Sequence, residues 1–464
     1  MLDFKPLTDV NLIKNYLNSS KISFCDLTVG VRYLWRDAFK VDYAIAYDTL
    51  IMKETCRDYE NAFYFPIGDN ISGALIEIEN YCKSSGIPLK FCYIDEERKL
   101  FLENCYPSVN SYYLREWSDY IYPIEQFVTY SGKKLSGQRN HVNKFKSLYP
   151  DHTFSIMRDS DADDIISFYL SLNEKPEHNA WTYIEERNKL KDYIKNFSAL
   201  DQIGGILKVD GKIVGFTIGE IIGDTLYSHV EKADRNFEGA YPTLAQEFAR
   251  AFYNENLKFI NREEDCGDEG LRKSKLQYHP SEIKNKNIIE VFSVFDKLPK
   301  NLELKTERLT VETIKENDKE DYKNLYLDEN LNKFWGYDYR EDLKDNLPTA
   351  DYFFSFQNGL KDKREEYSFA VKLNRKMIGE LVLYNFDFFG GAEIGFRFFK
   401  DYQGKGYAIE SSSSLIKYAT ENCGLKTLYS RCFIKNEPSF KLIKKLGLSP
   451  VSESQTHYFF KREL

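Results

Sequence analysis

The stretch that decides the fold is Glu393-Ile-Gly-Phe-Arg-Phe-Phe-Lys-Asp-Tyr-Gln403-Gly404-Lys405-Gly406-Tyr407-Ala408. Residues 393–399 alternate and are rich in aromatics, the pattern of a strand. Gln403-Gly404-Lys405-Gly406 then calls for a tight turn, because backbone amides face inward only where no Cβ stands in the way. From Ala408 onward, apolar or small residues at Ala408, Ser412, Leu415, Ile416 and Ala419 recur at helical spacing. A strand, a glycine turn and a helix N-terminus in that order aim unpaired N–H groups at one point, which suits a phosphate or pyrophosphate. A Gly-x-Gly turn by itself is more often only a turn, so the reading rests on its surroundings.

Those surroundings carry a resemblance. Gln403-x-x-Gly406-x-Ala408 fits the pyrophosphate signature Gln/Arg-x-x-Gly-x-Gly/Ala of the GNAT N-acyltransferases. Downstream, Asn436-x-x-Ser439 and Gly447 resemble the segment that lies beside the pantetheine arm of acetyl-CoA in that family. Upstream, Thr306-Glu307-Arg308-Leu309 looks like the opening strand of its ribosomal-protein N-acetyltransferase branch. The resemblance implies an acetyl-CoA-dependent N-acetyltransferase domain over residues 298–464. Acetyl-CoA would be the cosubstrate, and Gln403, Gly404, Lys405, Gly406, Tyr407, Ala408 and Asn436 would hold it.

Acetyl transfer to an amine makes three demands. CoA must be anchored, which the turn amides can do. The thioester carbonyl needs a donor where negative charge develops, expected from a backbone N–H near Phe398 or Phe399. The ammonium must lose a proton before attack, so a carboxylate belongs on the strand. Glu393 is the candidate base, ten residues before Gln403 as in the histone-acetylating GNATs that it resembles. The alternative is that Glu393 pairs with a Lys or Arg across the sheet, with Glu380 as substitute base. Where the family carries a leaving-group tyrosine, seven residues after Asn436, this chain has Ile443. Ser439 is the stand-in, and solvent can protonate a thiolate unaided. The acceptor is an amine: a small molecule, a peptide or a protein N-terminus.

A chain of 464 residues exceeds one core, so two or three domains are expected. Its 42% hydrophobic and 29% charged content is that of an ordinary soluble protein, and 34 Tyr with 34 Phe call for aromatic-rich cores. A net charge of −8 speaks against nucleic acid as the principal partner, although local patches can override it. The eight cysteines (25, 56, 82, 92, 105, 266, 423, 432) include no CxxC pair, which points to reduced thiols without disulfide or zinc. Without a signal-like N-terminus or a run of about 18 apolar residues, the expectation is a cytoplasmic protein off the membrane.

Ahead of the proline-bearing joint Asp296–Leu302, Gly205–Phe216 reads as a hairpin turning at Asp210-Gly211. It recurs as Phe369–Gly379, turning at Asn374-Arg375. After Gly215 the next glycine turn is at Gly239, and after Gly379 it is at Gly404; a helical run follows each. The central segment therefore reads as another copy of the same fold. One glycine survives in its turn instead of two, which speaks against ordinary CoA binding there. The basic stretch Gly132–Lys146, with Lys133, Lys134 and Arg139, suits either an exposed helix face or a phosphate or RNA contact.

Asn261-Arg262-Glu263-Glu264-Asp265 through Lys275 forms a dense polar cluster after the apolar strand Leu257–Ile260, where α/β folds place ligand loops. With Ser118-Asp119-Tyr120 and His229-Val-Glu231-Lys232-Ala233, it resembles soluble relatives of the catalytic half of the lysyl-phosphatidylglycerol synthases, two fused GNAT units. That resemblance covers about residues 1–297. The cluster reads either as a solvated, salt-bridged loop or as a candidate site of Glu231, Asn261, Arg262, Glu263, Asp265 and Arg272, for a cationic substrate such as a free amine. Adjacent rather than spaced acids argue against a metal cage. In the membrane-bound relatives the donor is an aminoacyl-tRNA and the acceptor a lipid. The lipid does not carry over, because their transmembrane part is missing; tRNA is left open.

The expectation is therefore an α/β (α+β) chain of three GNAT-like units, each a mixed, mostly antiparallel twisted sheet flanked by helices: 1–125 (degenerate), 126–297 and 298–464. The N-terminal pair is either an aminoacyl-tRNA-dependent transferase or a non-catalytic module that recruits substrate.

Overall fold

The computed structural model describes residues 2–20, 24–55, 60–172, 180–343 and 346–464. Three mixed sheets flanked by helices make up the molecule. In the third, the spatial order is Glu303–Lys305, Thr310–Thr313, Glu366–Leu373, Lys376–Tyr384, Gly391–Phe398, Thr427–Phe433, His457–Glu463, Ser449–Glu453. The second runs from Glu282–Lys284 through Asp119–Pro123, Phe259–Asn261, Thr225–Ala233, Lys212–Ile222 and Ile203–Val209 to Thr153–Ile156.

Among the described strands each sheet has one parallel pair. These are Ala62–Phe63 with Leu89–Ile94, Thr225–Ala233 with Phe259–Asn261, and Gly391–Phe398 with Thr427–Phe433. Parallel neighbours need a crossover, and in each case a helix supplies it: Ile71–Ser85, Ala240–Phe252 and Tyr407–Cys423. The first shows why such a segment is helical. Asn70 accepts a hydrogen bond from Gly73 N–H, Ala74, Leu75, Ile78 and Cys82 are buried along one stripe, and Gly86 at φ 64° ends it. The two recurring hairpins also share a turn, with φ 50° and 75° at Asp210-Gly211 and 51° and 70° at Asn374-Arg375.

The first two sheets do not divide the chain at 125, whereas the third begins only at Glu303, beyond 297. Asp119–Pro123 already belongs to the second sheet, while Asn287–Val291 returns to the first, between Leu89–Ile94 and Val109–Tyr113. The first two sheets are thereby interlocked. One apolar core holds Leu50, Met52 and Tyr64 from the first together with Ile206, Phe216 and Val230 from the second. The third unit docks on the first: Phe388 is buried in a cluster with Phe91, Tyr106 and Ile289, and Phe389 stacks on Tyr106 at 5.6 Å. The seven described cysteines form no disulfide; Cys56 lies outside the described residues. No helix among the described residues is long and apolar enough to cross a membrane.

Candidate active site

In the third sheet the parallel ladder between Gly391–Phe398 and Thr427–Phe433 runs only from Gly391↔Thr427 to Glu393↔Tyr429. Beyond it the strands part, and Ser430 Oγ bridges the start of the gap by donating to Ile394 O at 2.9 Å. Successive peptide groups of a strand point to opposite sides. The Ile394 carbonyl faces the gap, so the N–H groups of Phe396 and Phe398 face it too. Phe399 N–H points the other way and is spent on Ile378 O at 3.1 Å, which corrects the expectation that it serves the thioester. The Phe398 carbonyl is occupied by Gln403 Nε2 at 2.8 Å. Gln403 thus ties the turn to the strand.

The turn itself is open. Gly404 has φ 71° and Gly406 φ 84°; a Cβ on Gly404 would meet nothing within 4 Å. Gly406 caps the helix Tyr407–Cys423 without any side-chain cap, so the N–H groups of its first turn have no intrahelical acceptor. Glu410, in that turn, would repel an anion. It is neutralised by Arg308, whose Nε lies 2.7 Å from Glu410 Oε2, whose Nη1 reaches Lys405 O at 3.1 Å, and whose guanidinium stacks on Tyr407. Burial would raise the Glu410 carboxyl, but hydrogen bonds from Thr306 and Arg308 hold it below the usual range. The Thr306–Leu309 segment and the turn, two separate sequence signals, thus form one structure.

Glu393 is buried on the strand face that looks toward the helices Lys319–Leu327 and Ala350–Asp362. Tyr384 Oη donates to its Oε1 at 2.6 Å, Asn385 Nδ2 donates to its Oε2 at 2.8 Å, and Arg431 Nε stands 3.3 Å away. Both expected roles are therefore in contact: it is hydrogen-bonded within the cleft and faces an arginine across the sheet. Glu380, the substitute, is fully buried and held by Arg397 Nε at 2.7 Å, with Arg397 stacked between Tyr326 and Trp335. Asn436 caps the helix Glu437–Lys445 by accepting from Ser439 N–H at 3.3 Å. Ile443 is core.

The N-terminal cluster divides between its two expected readings. Arg262 pairs with Glu231 beside the mutually stacked rings of Phe127 and Tyr278, and Asp265 is clamped by Arg272 at 2.8 Å and by Tyr120 Oη at 2.7 Å. These four are spent on each other. Only Asn261 and Glu263 reach a deeper site between the first two sheets. Asn261 Nδ2 donates to Asp119 Oδ2 at 2.7 Å, and Glu263 bonds His229 Nδ1 at 2.6 Å.

In that deeper site Cys25 Sγ and carboxylate oxygens of Asp26, Asp119 and Glu264 lie within 4.8 Å of one another. Such a set suits a cation, and the cation is the chain's own: the Lys286 ammonium contacts Asp26, Glu264 and, at 2.7 Å, Asp119. Burial raises the Glu264 carboxyl to about 7 against the pull of Lys286. His229 lies between Glu263 and Glu220; burial works against its charge, yet these two hydrogen bonds bring its pKa up to about 9. Cys25, Asp26, Glu220 and Lys286 escaped the sequence reading because they come from three separate segments.

The second unit's glycine turn is filled. Gly239, φ 86°, caps Ala240–Phe252, but a Cβ there would lie 2.3 Å from His141 O and 3.0 Å from Phe145 Cβ. Both belong to the helix Ser136–Leu148, formed by the basic stretch. Arg139 in it bonds the Tyr130 and Gly132 carbonyls, and Lys144 and Lys146 pair with Glu238 and Glu247. Lys133 and Lys134 precede the helix and line a surface cleft of about 580 Å³ with Tyr253 and His279.

Residues 20–288 match the family model of phosphatidylglycerol lysyltransferase, C-terminal, and residues 308–449 match that of the acetyltransferase (GNAT) domain. A crystal structure of a conserved protein of unknown function from Bacteroides thetaiotaomicron is 31% identical. It covers 62% of this chain and 99% of its own, with a TM-score of 0.57. The uncharacterized protein MYCGA3080 of Mycoplasmoides gallisepticum is 25% identical over 227 residues, 48% of this chain and 70% of that one. The uncharacterized N-acetyltransferase YnaD of Bacillus subtilis is 30% identical over 87 residues, 19% of this chain; the match spans about half of YnaD, 51%.

Proposed function

The chain belongs to the phosphatidylglycerol lysyltransferase C-terminal family and carries a GNAT acetyltransferase domain behind it, and from that premise we propose that it transfers acetyl from acetyl-CoA to an amine in the third unit. The observation that carries this reading is the open turn Gly404–Ala408 at the mouth of the strand gap, with Arg308 neutralising the one carboxylate in the first helical turn. The pyrophosphate takes the N–H groups of Gly404 to Ala408, and the pantetheine arm lies in the gap beyond Glu393↔Tyr429. The thioester oxygen faces the N–H of Phe398 or Phe396, whose donation strengthens as it becomes an oxyanion.

Glu393, directly or through a water, takes a proton from the acceptor ammonium. The free amine attacks the carbonyl carbon, the C–S bond breaks, and the thiolate leaves. The remaining proton on nitrogen is lost, and the thiolate gains one from Ser439 or solvent. The acceptor class is an amine of a small molecule, a peptide or a protein N-terminus. The first two units serve as a non-catalytic module. Its own glycine turn is filled by Ser136–Leu148, and its carboxylate cage already holds Lys286.

Calorimetric titration of acetyl-CoA into the full chain tests the assignment. One site per chain, lost in Gly404→Glu, is the expected result. Two sites, or undiminished binding to Gly404→Glu, would sink it.

A further inference from the structure

Residues paired across antiparallel strands share a face of the sheet. Glu366, Tyr384 and Glu393 form one such row; Ser368, Val382 and Gly395 the next; Ala370, Glu380 and Arg397 the third. One face thus carries carboxylates on four adjacent strands; the outermost, Glu312 opposite Ala370, is spent on Lys315 and Lys372, which leaves Glu366, Glu380 and Glu393. Glu366 and Glu393 stand about 10 Å apart at the backbone, two strand spacings. The row between them and Glu380 is floored by Gly395, over which the Trp335 indole lies; a Cβ there would come within 3.5 Å of Trp335 Cη2. Two cations serve the three acids: Arg397 on Glu380, and the half-exposed Arg431 on Glu393. Glu366 accepts from Ser368 Oγ at 2.9 Å and, among the described residues, meets no cation at ion-pair distance.

A second observation is independent of the acid count. Among the described residues, Glu380 Oε1 and Gln357 Oε1 are buried without a hydrogen-bond partner, on side chains that are 0% and 2% exposed. Gln357 lies on the inward stripe of Ala350–Asp362, the helix that covers this face with Phe353. Arg397 Nη2 is a buried donor without a partner. A buried acceptor left unpaired costs about 1–3 kcal/mol. A primary ammonium brings three donors and a positive charge.

We propose that the acceptor is a dication, an amine whose second cationic centre is held by Glu366, with the spare acceptors of Glu380 and Gln357 completing its hydrogen bonds, while the reacting amine lies at Glu393. Burial and the neighbouring Glu380 push the Glu366 carboxyl up to about 7, the environment of a carboxylate short of a positive partner. Selectivity on this account is a matter of binding, so Glu366 is a specificity residue with no part in the proton transfer.

The inference rests on the acetyl-transfer reading, and the test separates the two. Initial rates of the full chain at saturating acetyl-CoA are compared for α,ω-diamines and for n-alkylamines of matching length. The expected result is a preference for diamines of about tenfold or more, the worth of one charge-assisted hydrogen bond. Glu366→Gln should erase it through KM of the diamine, with kcat, the monoamine constants and acetyl-CoA affinity within about twofold. Gln357→Leu should raise the same KM severalfold. Equal use of both amine series by the wild type, an unchanged diamine KM in both variants, or an equal fall in kcat on both series for Glu366→Gln overturns the proposal alone. Acetylation of neither series, with acetyl-CoA bound, overturns the proposal and leaves transfer to a peptide or protein N-terminus standing; failure to bind acetyl-CoA overturns the acetyl-transfer reading together with it.

Discussion

Gly239 and Gly406 occupy the same place in their units, each capping the crossover helix of a parallel strand pair, with φ 86° and 84°. Their surroundings are opposite. Gly239 is pressed against His141 O and Phe145, so it is glycine because the chain's own helix comes too close for a Cβ. Gly404 and Gly406 face outward, with only Arg308 Nη2 near the second, at 3.3 Å. One turn spends its glycine on packing and the other leaves its amides open. The N-terminal pair neutralises carboxylates internally with Lys286, Arg272, Arg262 and His229, and its buried atoms without a partner among the described residues are Arg32 Nε and Nη2, Arg262 Nη1 and Thr217 Oγ1, whereas those of the third unit include the acceptors Glu380 Oε1 and Gln357 Oε1. Local backbone geometry makes a nest; whether the nest is a site depends on what the rest of the chain puts into it.

Substitution at the open turn should have the largest effect. Gly404→Glu places a carboxylate where a pyrophosphate would sit, and loss of several charge-assisted hydrogen bonds should weaken acetyl-CoA by about 1,000-fold in calorimetry. The melting temperature should fall by only a few degrees: a side chain at 404 meets nothing, and the cost is that of a non-glycine residue at φ 71°, about 1 kcal/mol. Next comes Glu393→Gln. If Glu393 is the base, kcat falls by about 100-fold while the acetyl-CoA affinity stays constant, and the slope of the acid limb of the pH–rate profile flattens. An unchanged kcat would leave Glu393 as an ion-pair partner of Arg431 only.

Gly239→Ala should do the reverse of Gly404→Glu. A Cβ 2.3 Å from His141 O cannot be accommodated without moving a helix, so denaturant unfolding should show a loss of about 3 kcal/mol. Folded protein at low temperature should bind acetyl-CoA as the wild type does. A change in acetyl-CoA stoichiometry on Gly239→Ala would break the contrast, because it would make the second turn a ligand site as well.

How much of this was legible in the sequence follows from chain separation. The strand, turn and helix at 393–423 are contiguous, so periodicity and two glycines sufficed. Ala240–Phe252 was legible as a helix, but that Ser136–Leu148 fills its N-terminus was not, since nothing local records a contact a hundred residues away. The return of Asn287–Val291 to the first sheet, and the burial of Phe388 in that unit's core, are likewise long-range. The same holds for the cage. Asn261 and Glu263 were found because they adjoin a strand end, whereas Cys25, Asp26 and Lys286 meet them only after two sheets interlock. Glu366 carries no motif; its environment is made by strand register and by Glu380.

The smallest expected effect is a titration, and it sharpens the contrast at its internally neutralised end. His229 is buried between Glu220 Oε1, 2.8 Å from Nε2, and Glu263 Oε1, 2.6 Å from Nδ1, with Gly30 N–H donating to the same Glu220 oxygen at 2.7 Å. Its folded pKa of about 9 exceeds the ordinary 6.5, so the folded state binds the proton more tightly than the unfolded chain does. The sign follows: the stabilisation is full below about pH 6.5 and is lost as pH rises through about 9. The loss should be on the order of 2 kcal/mol, less than an undiminished 2.5-unit shift would give, because the carboxylates on either side repel each other once the imidazolium is neutral and relax. Unfolding free energies of the wild type and His229→Gln, measured from pH 6 to 9.5, should converge toward the alkaline end. Curves that stay parallel would mean the imidazole is neutral throughout, and the two carboxylates would then need a cation from outside, making the N-terminal pair as open to a ligand as the third unit.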